Sequence, residues 1–140
     1  MARRDGFTLV ELSVVVSVAA ILLVTAVPNL MNAKKSANEI SALGSLKAFT
    51  VASQQYRTRF QRYARTLQNL GTTGYVDSLL SAGRRSGYRF TYTVNGQRWS
   101  VRAIPLTQGI TGDRGFYVDE TGVFRVDPAG TATSSSPPVK

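Results

Sequence analysis

One stretch constrains this chain more than any other. Residues 7–31, FTLVELSVVVSVAAILLVTAVPNLM, place 18 hydrophobic residues in 25 positions, and the 16 residues between Glu11 and Pro28 carry no charge. As a helix rising about 1.5 Å per residue, the stretch spans about 38 Å, enough to cross a hydrocarbon core about 30 Å thick. A helix apolar on every side has no face for water. A small domain seldom hides such a helix, and 140 residues leave room for one compact domain beside it. Insertion into a membrane is therefore preferred over a buried core helix. Arg3 and Arg4 would also suit a secretory signal peptide. The apolar run is too long for that, and Val27-Pro28-Asn29-Leu30 is a poor cleavage site. Charge does not fix the orientation, because Lys34 and Lys35 flank the other end.

Two zeros narrow the chemistry. The chain has neither His nor Cys, which excludes disulfides, thiolate zinc sites, a Cys nucleophile and a His-based triad. No enzyme activity and no cofactor are expected. Asp113, Asp119 and Glu120 are the best candidates for calcium, but they lack closely spaced oxygen ligands. Asp119-Glu120-Thr121-Gly122 reads better as a plain turn.

Beyond Pro28 the helical period continues. Phe49, Ala52, Tyr56, Phe60, Tyr63, Leu67 and Leu70 share an arc of about 80°. The helix is expected to run to about Leu70, where Gly71-Thr72-Thr73-Gly74 stops it. Ile40, Leu43 and Leu46 form a second stripe, available to other subunits. Residues 75–87 read as irregular, with one helical turn over Val76 to Leu80. The period then becomes two, with Tyr88, Phe90 and Tyr92 alternating against polar neighbours. Asn95-Gly96 is a strong hairpin signal, with a return strand from Gln97 to Pro105. A second hairpin joins Phe116–Val118 to Val123–Val126. The fold class is α+β: one long N-terminal helix, apolar in its first half, packed on a small four-stranded antiparallel sheet. Residues 128–140, rich in Pro, Ser, Thr and Gly, are expected to form a disordered tail.

Residues 32–140 carry 15 Lys+Arg against 6 Asp+Glu, a surface that attracts polyanions. Arg57, Arg59, Arg62 and Arg65 lie opposite the aromatic stripe. They are candidates for contact with DNA or anionic surface polymers. The bland alternative is a solvated charge pattern that complements neighbouring subunits. Glu11 is a carboxylate near the edge of the apolar helix. It needs a partner or a place at headgroup level. Pro28 removes a helical hydrogen bond, so it marks a kink or a helix end.

The start, Arg3-Arg4-Asp5-Gly6-Phe7-Thr8-Leu9-Val10-Glu11, resembles the class III signal sequence of type IV pilins and type II secretion pseudopilins. A basic leader ends in Gly6, Phe7 follows, and Glu11 lies five residues into the mature chain. Pro28 falls where that family has its helix-kinking proline. The resemblance covers about residues 3–35. It implies a cleaved leader, residues 1–6, cut by a prepilin peptidase between Gly6 and Phe7, with N-methylation of Phe7. Residues 7–31 would be retained, first in membrane lipid and then in a filament core. Residues 32–127 would form the pilin-like globular domain. Glu11 would pair with the Phe7 amine of a neighbouring subunit and set the stagger between them.

The resulting expectation is a structural subunit of a type IV pilus, major or minor. Its partners would be itself, the peptidase and an inner-membrane assembly platform. It would sit in the inner membrane as precursor, and outside or in the periplasm as filament. The alternatives are a pseudopilin of type II secretion and a non-polymerising bitopic protein with a periplasmic binding domain.

Overall fold

A computed structural model describes residues 6–140 of the chain. Residues 1–5 of the expected leader lie outside the described residues. Helix α1 is Leu9–Phe60, α2 is Leu67–Thr72 and α3 is Ser78–Ser81. The strands are β1 Arg84–Arg85, β2 Tyr88–Asn95, β3 Arg98–Pro105, β4 Gly115–Asp119 and β5 Arg125–Asp127. The chain divides into two compact units between Ala33 and Lys34.

In the first unit every described residue is exposed. Leu9, Ile21 and Leu30 are each more than two-thirds accessible. By length and composition, α1 is able to cross a membrane. Its polar side chains are turned back onto the helix. Ser13 and Ser17 hydroxyls donate to Leu9 O and Ser13 O, both at 2.8 Å, and Thr25 Oγ1 donates to Leu22 O at 3.0 Å. Asn29 Nδ2 donates to Thr25 O at 3.1 Å. Such back-bonding satisfies the donors without water. Pro28 lies inside the helix and does not end it.

In the second unit, α1 buries Ala42, Leu46, Phe49, Ala52, Ser53 and Tyr56 along one face. Leu46, grouped above with subunit-facing residues, is fully buried, whereas Ile40 is 71% exposed. The helix ends at Phe60 rather than near Leu70. Gln61 adopts a left-handed conformation (φ 56°) and its N–H donates to Arg57 O at 2.8 Å, an αL C-terminal cap. Tyr63 and Ala64 are then tucked into the core in irregular backbone. The arc foreseen from periodicity is thus split. Leu67 and Leu70 are buried from α2, a separate helix capped by Thr66, whose hydroxyl accepts from Asn69 N–H at 3.3 Å. Asp77 caps α3, accepting from Leu80 N–H at 2.8 Å.

The sheet is an antiparallel meander in the order β1-β2-β3-β4-β5. It has five strands rather than four, because Arg84–Arg85 adds a short edge. Tyr88, Phe90, Trp99, Val101, Ala103, Phe116 and Val118 form its buried face. Phe49 of α1 meets Phe90 at 5.4 Å between ring centroids, and Tyr63 meets Trp99 at 6.3 Å. The first hairpin pairs Asn95 with Arg98, leaving Gly96-Gln97 as a two-residue loop. Gly96, with φ 60°, takes the first central position, which suits a type II′ turn. The second hairpin's return strand begins two residues later than expected, at Arg125.

The expectation of a disordered tail is corrected. Val126 N–H donates to Pro137 O at 2.9 Å, and Val139 N–H donates to Phe124 O at 2.8 Å. Arg125 Nη1 donates to Ser136 O at 2.9 Å, and Ala132 is fully buried. A Cβ on Gly115 would strike the Gly130 carbonyl, so the backbone approaches too closely there for any other residue. Residues 128–140 are short of apolar side chains but satisfy their backbone against β5, which composition alone does not disclose.

Candidate processing and assembly site

The segment around the expected cut is built by one local motif. Thr8 is the residue before α1 and Glu11 is in its first turn. Thr8 N–H and Thr8 Oγ1 both donate to Glu11 Oε2 at 2.9 Å, and Glu11 N–H donates to Thr8 Oγ1 at 3.2 Å. Leu12 N–H donates to Thr8 O at 3.1 Å. This is a reciprocal capping box, and it fixes where the helix begins. The Gly6–Phe7 bond is therefore held outside the helix. Gly6 and Phe7 are exposed, and nothing lies within 4 Å of where a Gly6 Cβ would be. A protease needs an accessible backbone outside regular structure, and the cap leaves this bond exposed before the helix starts. The pattern Thr-x-x-Glu was legible in the sequence.

A second polar cluster ties α1 to the β3–β4 loop. Glu39 is buried, with 7% of its side chain accessible. Its Oε1 accepts from Asp113 N–H at 3.0 Å and Arg114 N–H at 3.1 Å. Its Oε2 accepts from Arg114 Nε at 2.8 Å and lies 2.7 Å from Arg114 Nη2. Burial alone would push the Glu39 carboxyl up. The Asp113 N–H and the side chain and N–H of Arg114 outweigh it and hold the carboxyl below its ordinary value. Lys35 reaches Asp113 at 3.0 Å, and Asn38 Nδ2 donates to Thr111 O at 2.8 Å. Tyr88 closes the cluster by donating to Arg114 O at 2.7 Å. Burial, reinforced by the Glu39 charge, keeps its phenol protonated well above the usual range. Asp113, weighed above for calcium, is thus engaged by Lys35. Sequence periodicity could not single out Glu39, since its partners lie more than 70 residues away.

The four arginines proposed for polyanion contact separate into two pairs. Arg57 Nη1 donates to Tyr63 OH at 2.9 Å and its guanidinium lies 5.2 Å from that ring's centroid. Arg59 lies over Phe60 at 5.4 Å. Arg62 and Arg65 instead line surface clefts.

Residues 1–27 match the family model described as the prokaryotic N-terminal methylation motif. The chain is 37% identical over 105 residues to the type II secretion system core protein G of Klebsiella pneumoniae, covering 75% of this chain and 69% of that one. The chain belongs to the type IV pilin and type II secretion pseudopilin family. It is also 27% identical over 135 residues to the type IV wide pilus major component PilA4 of Thermus thermophilus, spanning 97% of that protein. The match to the core protein G of Aeromonas hydrophila, 38% identical over 68 residues, spans about half of each chain. The α+β layout expected from the residue pattern is the one observed, with five strands in place of four.

Proposed function

We propose that this pilin-family protein is a structural subunit of a type IV pilus. It is made as a membrane-anchored precursor, cut between Gly6 and Phe7, methylated at the Phe7 amine and polymerised through residues 7–31. The observation that carries this reading is the exposure of the whole apolar segment: no described residue before Lys35 is even half-buried. So large an apolar surface requires a cover. The bilayer supplies it first and sister helices supply it in the filament. A prepilin peptidase and an inner-membrane assembly platform are the partners this route needs.

The capping box refines the role of Glu11. Both bonds from Thr8 fall on Oε2, which leaves Oε1 for the Phe7 amine of a neighbouring subunit. One carboxylate then both starts its own helix and sets the register of the next. Pro28 deprives Val24 O of its usual donor, which makes that turn the place for α1 to bend as subunits pack.

The test combines cell-surface shearing with mass spectrometry. The expected result is a sheared band whose chain starts at N-methyl-Phe7; an intact start at Met1 would overturn the reading. Glu11→Gln keeps an acceptor for the cap but removes the charge. It should be cleaved and yet fail to polymerise, and normal filament yield would defeat the pairing. A second reading, a pseudopilin, is supported by the match to the Klebsiella core protein G over 105 residues. Absence from the sheared fraction, with loss of protein secretion on deletion, would favour it.

A further inference from the structure

We propose that the open edge of β2, at Tyr92 and Val94, takes an extended acidic peptide of a partner protein as an added strand. Two clefts, of about 440 and 430 Å³, run along this edge. The first reaches Phe90, Thr91 and Tyr92, the second Val94 and Gly96. Arg62, Arg65, Arg84 and Arg89 are in their lining, with no carboxylate.

The pairing of β2 leaves this edge without a neighbour. Arg85 and Tyr88 enclose the loop Ser86-Gly87, whose φ angles of 48° and 74° make a type I′ hairpin of β1 and β2. Phe90 N–H then donates to Gly83 O at 2.8 Å. Backbone groups of successive strand residues point to opposite edges, so those of Tyr92 and Val94 face the same side as those of Phe90. The first strand goes no further, since β1 pairs only with Tyr88 and Arg89. Thr91, Thr93 and Asn95 point the other way, to β3, because Asn95 and Arg98 close the first hairpin. Among the described residues the N–H and C=O groups of Tyr92 and Val94 have no backbone partner.

The opposite side of the sheet is closed. There the tail covers β5, with Val126 N–H donating to Pro137 O and Val139 N–H to Phe124 O. An uncovered edge is a template for another strand, and natural sheets guard such edges with charge. The four arginines repel basic strands and select acidic ones. A second copy of this chain does carry carboxylate oxygens to spare, since Asp119 and Asp127 each engage one oxygen in their own turns. Those residues end β4 and β5, however, which are already paired within their own sheet. The side of its sheet that a copy leaves open is β1–β2, which would set arginine against arginine.

Charge and backbone together name the occupant. Among the described residues none of the four arginines is in an ion pair, whereas the neighbouring Arg85 is held by Asp77 at 2.8 Å. A strand laid on β2 puts alternate side chains on the two faces of the sheet. On one face it meets the half-buried Tyr92 and Val94, on the other the exposed Arg89 and Thr91. A peptide alternating apolar and acidic residues suits both. Its main chain supplies affinity and the arginines choose its charge. Phosphate groups only accept hydrogen bonds, so the two open carbonyl groups favour a chain with amide donors.

The experiment uses the full-length protein in non-ionic detergent micelles and a fluorescein-labelled peptide of about six residues, alternating Glu and Val. Fluorescence anisotropy reads binding. Two further peptides carry N-methyl groups on one or the other alternate set of residues, which leaves side chains and charge unchanged. Only one set points its N–H groups at β2. Methylating that set should weaken binding about tenfold, and methylating the other should change it less than about twofold. Arg62→Gln/Arg65→Gln should weaken binding about fivefold, whereas Arg57→Gln/Arg59→Gln, which removes the same charge elsewhere, should change it less than about twofold. Unchanged Trp99 fluorescence certifies the fold of both variants. At saturating peptide the amide protons of Tyr92 and Val94 should exchange about tenfold more slowly, while those of Thr91 and Thr93 keep their rates. No binding by the wild-type protein, or equal losses with the two methylated peptides, would overturn the proposal. So would protection of Tyr92 and Val94 that rises with protein concentration alone, which assigns the edge to a second copy.

Discussion

Replacing Glu39 should unlock the β3–β4 loop from the helix. Glu39→Ala strips two backbone N–H groups, at Asp113 and Arg114, of their acceptor and leaves the Arg114 guanidinium without its carboxylate. Breaking a buried pair costs about 3–5 kcal/mol when the partner charge stays dry. Here Arg114 is 52% accessible, so water takes over its half of the interaction and the cost falls to about 3 kcal/mol. Glu39→Gln keeps an oxygen for the two N–H groups and loses only the charge, which should cost about half as much. The chain's one tryptophan makes the measurement specific. Trp99 is 1% exposed, in the sheet core. Its fluorescence during urea unfolding therefore reports on this domain and not on the apolar helix. Loss of about 3 kcal/mol is a large share of the roughly 5–15 kcal/mol that holds a domain together, and it should lower the urea midpoint accordingly. A Glu39→Ala midpoint within about 0.5 kcal/mol of wild type, the range of an ordinary surface change, would refute the reasoning.

The same site predicts an acid response. The Glu39 carboxyl is held below its ordinary value of 4.5 in the folded protein, so the folded state binds fewer protons than the unfolded one as pH falls through this range. Its contribution is therefore fully present above about 4.5 and is lost as pH falls through the lower folded value. Glu39→Gln should flatten the stability profile below that point. A wild-type profile as flat as the variant's would contradict the assignment.

Other outcomes follow from single contacts. Gly112→Ala places a Cβ against the Tyr88 hydroxyl and ring and should cost about 1–3 kcal/mol of overpacking in the Trp99-monitored unfolding; an unchanged midpoint would show the ring is free to move. Arg84→Gln relieves the charge opposite Arg89 and should raise stability by about 0.2–1 kcal/mol; a lower midpoint would show that the pair is already compensated. Thr8→Ala removes the cap on α1 at a cost of about 1 kcal/mol. In micelles the Glu11 amide, which donates to Thr8 Oγ1, should then exchange about fivefold faster. No change in exchange would mean that the motif does not hold the helix start.

Elements marked by strong local chemistry were readable from residues alone. The Asn95-Gly96 hairpin, the two-residue period of β2 and β3 and the apolar stretch each carry their own signal. The end of α1 does not. No glycine or proline lies near Gln61, and the buried stripe runs through the break, so the period of the side chains stays helical where the backbone is not. Strand β1 is only two residues long, too short for any period to show. The tail defeats composition for the opposite reason: it lacks apolar mass, yet hydrogen bonds to β5 and the backbone contact at Gly115 order it. Of the candidate processing segment, Gly6, Phe7 and Glu11 stand out, and Thr8, three residues before Glu11, carries a capping pattern that is equally visible in the sequence.

The first unit joins two demands that usually conflict. Before assembly its surface must suit lipid, and in a bundle it must suit other helices. Ser13, Ser17, Thr25 and Asn29 meet both by donating to their own helix, so neither environment has to satisfy them. Contacts among such apolar surfaces carry little directional information, since lipid tails and leucine side chains are equally apolar. Glu11 is the one charge between Phe7 and Ala33. Under the proposed pairing it is the one place in the segment where a wrong axial stagger would carry a large electrostatic penalty. The capping box spends only one of its two oxygens, so under the proposed pairing the same residue would define its own helix and still select its neighbour.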